Sequence, residues 1–198
     1  KTTFSAQFVT EGVIAGDRGL YVSMHETLAD LRSDLGSFEF GFDRALDTDE
    51  LMFVDALSSE GRRFLGRPGE KHDQSSLFNR IVGFINSQNV DRVVIDSTML
   101  LRHLLSDDED SLIGALTSLK RANATVILIS EMTDPTAYSN EHYLAHGVVF
   151  FHNYLDADGM TRGVQVVKMR GTGIDTDIHT LSFGDDGLSV DPTSTVTR

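Results

Sequence analysis

Apolar residues recur at helical spacing from the start of the chain. Phe4, Phe8, Val9 and Val13 form a one-sided stripe and Gly16 follows as a stop, which predicts a first helix. "GLYVSM", from Gly19, is a short run rich in strand formers. In "HETLADLRSDLG" helical spacing returns: Thr27 is placed to cap, Asp30 suits the first turn, Leu28, Leu31 and Leu35 share a face, and Gly36 ends the element. "LMFVDA" reads as the next strand. Residues 58–76, "SSEGRRFLGRPGEKHDQSS", break both periods and hold three glycines and a proline, which predicts a mobile loop. A helix over "SLFNRIVGFINSQ", with Leu77, Ile81 and Ile85 on one face, leads to the strand "RVVIDS". The acidic turn "SDDEDS", the helix "LIGALTSLKRAN" and the strand "ATVILIS" complete this part. The last run lacks alternation, as expected of a strand covered on both faces.

Strands and helices therefore alternate as far as Glu131, the pattern of an α/β fold with a mostly parallel sheet flanked by helices. After residue 147 the pattern changes. "VVFFHNYLDADGMTRGVQVVKMRG" predicts two strands around Asp158-Gly159, and "DIHTLSFGDDGLSV" another pair around Asp186-Gly187, giving a β-hairpin-rich C-terminal edge. No internal repeat or low-complexity tract interrupts the chain, so residues 1–198 are expected to form one domain.

Composition narrows the picture. At 198 residues the chain is long enough to bury a core without staples, and it contains no cysteine, which excludes disulfides and thiolate metal sites and makes a cytoplasmic location the expectation. No apolar run approaches the length needed to span a bilayer, so no membrane partner is expected. The formal net charge is −13, with lysine only at Lys1, Lys71, Lys120 and Lys168. Such a surface repels phosphate backbones, so nucleic-acid binding by this domain alone is not expected. It also suits a halophilic source, where salt screens the self-repulsion.

In parallel α/β sheets ligands sit at the carboxyl ends of the strands. Three apolar strands end in polar residues there: His25-Glu26, Asp96-Ser97 and Ser130-Glu131. Singly, each is as well explained by a helix cap or a solvated turn. Together they lie beside a helix that opens with Lys1, Thr2 and Thr3. An aspartate closing an apolar strand is what a nucleotide-hydrolysing site uses to hold Mg²⁺, an ion that prefers oxygen ligands. A lysine and a hydroxyl residue opening a helix are what such a site uses for the β- and γ-phosphates of ATP. On this reading "KTT" is the tail of a G-x-x-x-x-G-K-[ST] phosphate loop. The expectation is a domain that lacks its first strand and phosphate-loop glycines, as a fragment of a longer polypeptide would.

With these segments in order, the sequence resembles the KaiC-like and RadA-like branch of the RecA-type ATPases from end to end. "KTTFSAQFVTEGVI" is similar to the family's phosphate-loop helix, "GLYVSMHETLADLRSDLGSFEF" to a stretch in which a strand ends in two glutamates and a threonine, and "DRVVIDS" to its Walker B strand. "KMRGTG" resembles the family's K-x-R-G-T segment, which reaches across a subunit boundary. The resemblance implies ATP and Mg²⁺ as ligands, with Lys1 on the phosphates, Thr2 and Asp96 on the metal, and Thr3, Ser97 and Glu131 on the nucleotide side. It implies Glu26 as the residue that polarises water, and Lys168 and Arg170 as cations acting in trans within a ring- or filament-forming homo-oligomer.

His25 departs from the pattern, standing where the first of the two glutamates is expected. Either Glu26 acts alone, or the domain is a non-hydrolysing nucleotide-binding regulator; as a third reading, a RadA-type recombination accessory protein would need a DNA-binding surface around Arg62, Arg63 and Arg67. His103, His142, His146 and His152 lack ligand spacing, and the Phe38, Phe40 and Phe42 alternation is read as packing.

Overall fold

The structure, a computed structural model, describes residues 1–65, 75–98, 109–131, 139–156 and 159–196. The chain divides into two compact units, Lys1–Glu131 and Met132–Arg198.

The first unit is built on four parallel strands, β1 (Gly19–Ser23), β2 (Leu51–Asp55), β3 (Arg92–Asp96) and β4 (Thr125–Ile129), in the order β2-β1-β3-β4. Register sets Ser23 level with both Asp55 and Asp96, so the carboxyl ends of the three strands finish together. β1 is buried throughout and β3 at all but its first residue. Leu20, Tyr21, Val22, Val93, Val94 and Ile95 are fully removed from solvent, each worth about 1.5–3 kcal/mol of apolar burial. β4 departs from expectation: only Ile129 is buried. Its place at the end of the strand order gives it one sheet neighbour among the described residues, so an unbroken apolar run here marks an edge strand rather than a doubly covered one.

Helix α1 (Thr2–Ala15) packs on β1 and β3 and ends at Gly16, whose φ of 93° turns the chain left-handed and returns amide N–H groups to the last carbonyls. Its buried face is Ser5, Ala6, Val9, Thr10 and Gly12, which includes Val9 of the predicted apolar stripe and is otherwise made of small residues. Small side chains let the helix axis approach the sheet, while Phe8 and Val13 pack at the margin of the core. Helices α2 (Leu28–Leu35) and α3 (Phe42–Leu46) complete that core with Leu31, Leu35, Phe42 and Ala45. At α2 the predicted cap is present in reciprocal form, Thr27 and Asp30 each accepting from the other's backbone N–H. Phe38 and Phe40 stack with centroids 5.8 Å apart against the same core, consistent with packing.

Residues 59–65, read as loop, form helix α4 (Ser59–Leu65). Ser58 caps it by accepting from the Gly61 N–H at 2.9 Å, and a Cβ on Gly61 would lie 1.7 Å from the Asp55 carbonyl oxygen, so only glycine allows this helix to start so close to β2. The rest of that predicted loop, residues 66–74 with Arg67, lies outside the described residues, as do residues 106–108 of the acidic turn. Helix α5 (Ser75–Gln88) buries Phe78, Ile81 and Ile85 and packs against α6 (Glu109–Leu119).

The second unit is antiparallel. β5 (Gly147–Asp156) and β6 (Gly159–Met169) form a long hairpin, and β7 (His179–Gly184) and β8 (Gly187–Thr195) a second, in the order β5-β6-β7-β8. Within it His152 is buried, with its ring nitrogens 2.6 Å from the Tyr154 hydroxyl and 3.0 Å from Gln165 Oε1. A short helix α7 (Asn140–Leu144) precedes the hairpin. No helix among the described residues is long and apolar enough to cross a membrane.

Candidate active site at the carboxyl edge of the parallel sheet

Asp96 closes β3 and is 2% exposed. Its Oδ2 accepts two hydrogen bonds, from the Thr2 hydroxyl at 3.1 Å and from the Tyr21 hydroxyl at 3.1 Å. α1 delivers Thr2 because its first turn lies over the end of β3, and β1 delivers Tyr21 from within the sheet. The Tyr21 ring is fixed between Phe53, stacked at 5.8 Å, and Phe42, edge-on at 6.2 Å. Burial, with the nearby Asp96 carboxylate, pushes the Tyr21 phenol well above its ordinary pKa, so it stays protonated and donates. Ser97, next to Asp96 across a cis peptide bond, is buried as well.

β1 ends level with Asp96 on the neighbouring strand. Met24 N–H donates to the Asp96 carbonyl at 2.7 Å, and the Ser23 hydroxyl both donates to the Glu26 carbonyl (2.6 Å) and accepts from its N–H (3.1 Å). This tight turn swings His25 and Glu26 back towards Asp96. His25 Nδ1 lies 3.9 Å from Asp96 Oδ1, and its Nε2 lies 3.8 Å from Glu26 Oε2. Glu26 Oε2 is buried and accepts no hydrogen bond. Desolvation raises the Glu26 carboxyl above the usual range; His25 opposes the shift, while Asp96, Asp34 and Asp30 add to it.

The other candidates sort by position. Lys1 caps α1 and its Nζ donates to the Ser130 carbonyl at 3.0 Å, so the ammonium lies where β4 ends. Thr3 is in the first turn of α1, half-buried, and Glu131 is exposed beyond β4. Thus Lys1, Thr2, His25, Glu26, Asp96 and the end of β4 share one edge. Lys168 and Arg170 belong to the second unit, at the end of β6, where Lys168 Nζ donates to the carbonyls of His142 (2.8 Å) and Tyr143 (2.9 Å) and Arg170 Nη2 to that of Tyr143 (2.8 Å). These are the last carbonyls of α7, a favourable seat for cations.

Sequence reasoning missed Tyr21. The available signal was a phenol inside an apolar strand, two residues before the Ser23 that ends it. The Thr2 hydroxyl and Asp96 are hard oxygen donors in contact, a pair that suits Mg²⁺, and Glu26 Oε2 lies nearby without a hydrogen bond.

Residues 1–195 match the protein family described as "ATPase: KaiC". The chain is 28% identical over 201 residues to the circadian clock oscillator protein KaiC of Parathermosynechococcus lividus, covering 97% of this chain and 36% of that protein. It is also 28% identical to KaiC of Synechococcus elongatus (97% of this chain, 38% of that one) and 26% identical to the circadian clock protein KaiC3 of Synechocystis (87% and 35%). The chain therefore spans little more than a third of the length of these relatives.

Proposed function

Because the chain belongs to the KaiC family of ATPases, we propose that it binds ATP with Mg²⁺ at the carboxyl edge of its parallel sheet and hydrolyses the terminal phosphate, with both units serving one ATPase domain. The observation that carries this reading is the Thr2–Asp96 contact of 3.1 Å beside a buried Glu26 oxygen that lacks a hydrogen-bond partner. A hydroxyl and a carboxylate already in contact form a pair of oxygen donors for a divalent ion, and the free carboxylate oxygen provides the base.

Thr2 and Asp96 would hold the ion, which when bound neutralises charge on the β- and γ-phosphates. Lys1 exchanges the Ser130 carbonyl for phosphate oxygens. Glu26 orients a water in line with the γ-phosphorus and takes its proton, as the bridging oxygen leaves with ADP. Its raised pKa makes it a better proton acceptor than an exposed carboxylate. Tyr21 holds Asp96 in place throughout. Thr3, Ser97 and Glu131 border the nucleotide. The domain acts in a homo-oligomeric ring or filament, where Lys168 and Arg170 face a neighbour's γ-phosphate; their alternation at the end of β6 puts both cations on one side, and α7 carbonyls orient them. The acidic composition supports a cytoplasmic setting and tolerance of high salt.

The test is ATP turnover by the native gene product. Arg170→Ala is expected to lower turnover by about 10³-fold or more, as removal of an arginine finger does, while ATP binding persists. Full turnover in protein diluted to monomers refutes the shared site.

A second reading, a nucleotide-binding regulator that does not hydrolyse, is favoured by His25, whose ring stands 3.8 Å from the Glu26 oxygen and partly offsets its charge. A large gain of turnover in His25→Glu decides for it.

A further inference from the structure

We infer that His25, Glu26 and Asp96 form a binding site for a first-row transition ion of the Mn²⁺, Co²⁺ or Zn²⁺ class, in which the imidazole of His25 selects that ion over magnesium. The inference rests on the reading of this edge as a metal-dependent nucleotide site and concerns its nucleotide-free state: there Glu26 and Asp96 are ligands of the ion, and Glu26 serves as base only once ATP and Mg²⁺ have displaced it.

Each of the three residues offers one ligand atom, and these atoms lie within 4.8 Å of one another. The imidazole stands between the two carboxylates, 3.9 Å from Asp96 Oδ1 and 3.8 Å from Glu26 Oε2, too far to be hydrogen-bonded to either. The His25 side chain is 42% exposed and Glu26 Oε2 is buried with no hydrogen-bond partner, so no hydrogen bond holds the ring to either acid. An ion at the centre would satisfy that oxygen. Two ligands of one zinc-like ion sit roughly 3–3.5 Å apart, given bonds of about 2.0–2.2 Å, so the cluster must close by about an ångström. The mobile partner in that closure is the exposed ring of His25, since Asp96 is pinned by Thr2 and Tyr21. Three protein ligands leave further positions for water or a phosphate oxygen, the arrangement of a reactive site rather than a closed structural one.

Selectivity follows from ligand chemistry. Magnesium gains little from an imidazole and prefers six oxygens. Manganese, cobalt and zinc accept mixed nitrogen and oxygen donors, with affinity rising along that series. A glutamate at position 25 would give a hard, all-oxygen site. The histidine shifts it towards softer ions.

The experiment uses the native gene product, stripped of metal and free of nucleotide, titrated with Co²⁺ and followed by visible absorption. The expected result is an intense low-coordinate spectrum at one equivalent, with affinity about 10- to 100-fold lower in His25→Ala. Only the weak spectrum of hexaaqua cobalt overturns the proposal, and so does an affinity unchanged in His25→Ala. Because that variant also alters the strand-end turn, pulsed EPR of Mn²⁺ or Cu²⁺ bound to the unmodified protein provides a separate reading: coupling to an imidazole nitrogen supports the site, and its absence overturns it. A parallel titration with a fluorescent ATP analogue and Mg²⁺ separates the two proposals. Nucleotide binding without cobalt binding sinks this one alone, and cobalt binding through His25 without nucleotide binding sinks the nucleotide site alone.

Discussion

At the amino ends of the parallel strands, the acids are matched. Arg18 Nε bonds Glu50 at 2.9 Å, and its backbone N–H bonds Asp91. Arg92 Nε bonds Asp17 at 2.7 Å, while its guanidinium also donates to the Phe8 carbonyl and lies 5.0 Å from the Phe8 ring centroid. At the carboxyl ends, on the same strands, Asp96 meets two hydroxyls, the His25 imidazole stands 3.8–3.9 Å from both acids, and Glu26 Oε2 accepts no hydrogen bond. A carboxylate matched by a guanidinium contributes stability and has little affinity left for a ligand. A desolvated carboxylate without a cation costs stability and retains that affinity in full. One end of the sheet holds the fold, and the other is chemically available.

Substitutions at the two ends should therefore separate stability from activity. Of the substitutions at the two ends, Asp96→Asn is expected to have the largest effect, reducing ATP turnover by about 10²–10³-fold while leaving the thermal midpoint nearly unchanged; steady-state kinetics beside a melting curve checks both. Arg92→Ala should do the reverse, losing about 2 kcal/mol in urea denaturation with turnover per folded molecule preserved, because it removes an ion pair and the packing above Gly12 at once. A drop in turnover comparable to that of Asp96→Asn would erase the distinction between the ends.

The pH profile sharpens it further. Glu26 must be ionised to accept a proton, and burial raises its pKa, so turnover should fall with acidification at a higher pH than an exposed glutamate would give; this acid limb should vanish in Glu26→Gln. The smallest effect is at the α2 cap. Thr27→Ala should cost about 1 kcal/mol near neutrality. Since the Thr27 hydroxyl and N–H hold the Asp30 carboxyl below its usual value, the carboxylate's part of this contribution is complete above the ordinary aspartate range and lost as pH falls through the lowered one. The gap between wild type and variant should narrow in acid without closing, since the Asp30 N–H still donates to the Thr27 hydroxyl.

How much of this could be read from the chain depended on the range of the interaction. The strands at Gly19, Leu51, Arg92 and Thr125 were legible because each is a short apolar run between breakers. The Thr27 cap was legible because its partner is three residues away. α4 was lost because the glycine that looks like a breaker is required by contact with Asp55, which spacing alone does not reveal. The buried face of α1 was legible in part: Val9 is in the core with Phe8 and Val13 at its margin, while Ser5, Ala6, Thr10 and Gly12 were not legible because the sheet selects small residues there. In the site, Asp96, Glu26 and Thr2 stood out as strand-end or helix-start polar residues. Tyr21 did not, since its partner lies 75 positions away.

That tyrosine has a consequence for the working cycle. Two hydroxyls restrain one oxygen of Asp96, one from a helix and one from the sheet. If Thr2 turns away to meet an incoming ion, the phenol keeps its grip and the aspartate stays aimed. Without that ring's hydroxyl, as in Tyr21→Phe, the acid would swivel at the very moment its bearing matters, and the loss would surface as slackness in catalysis long before it surfaced as unfolding.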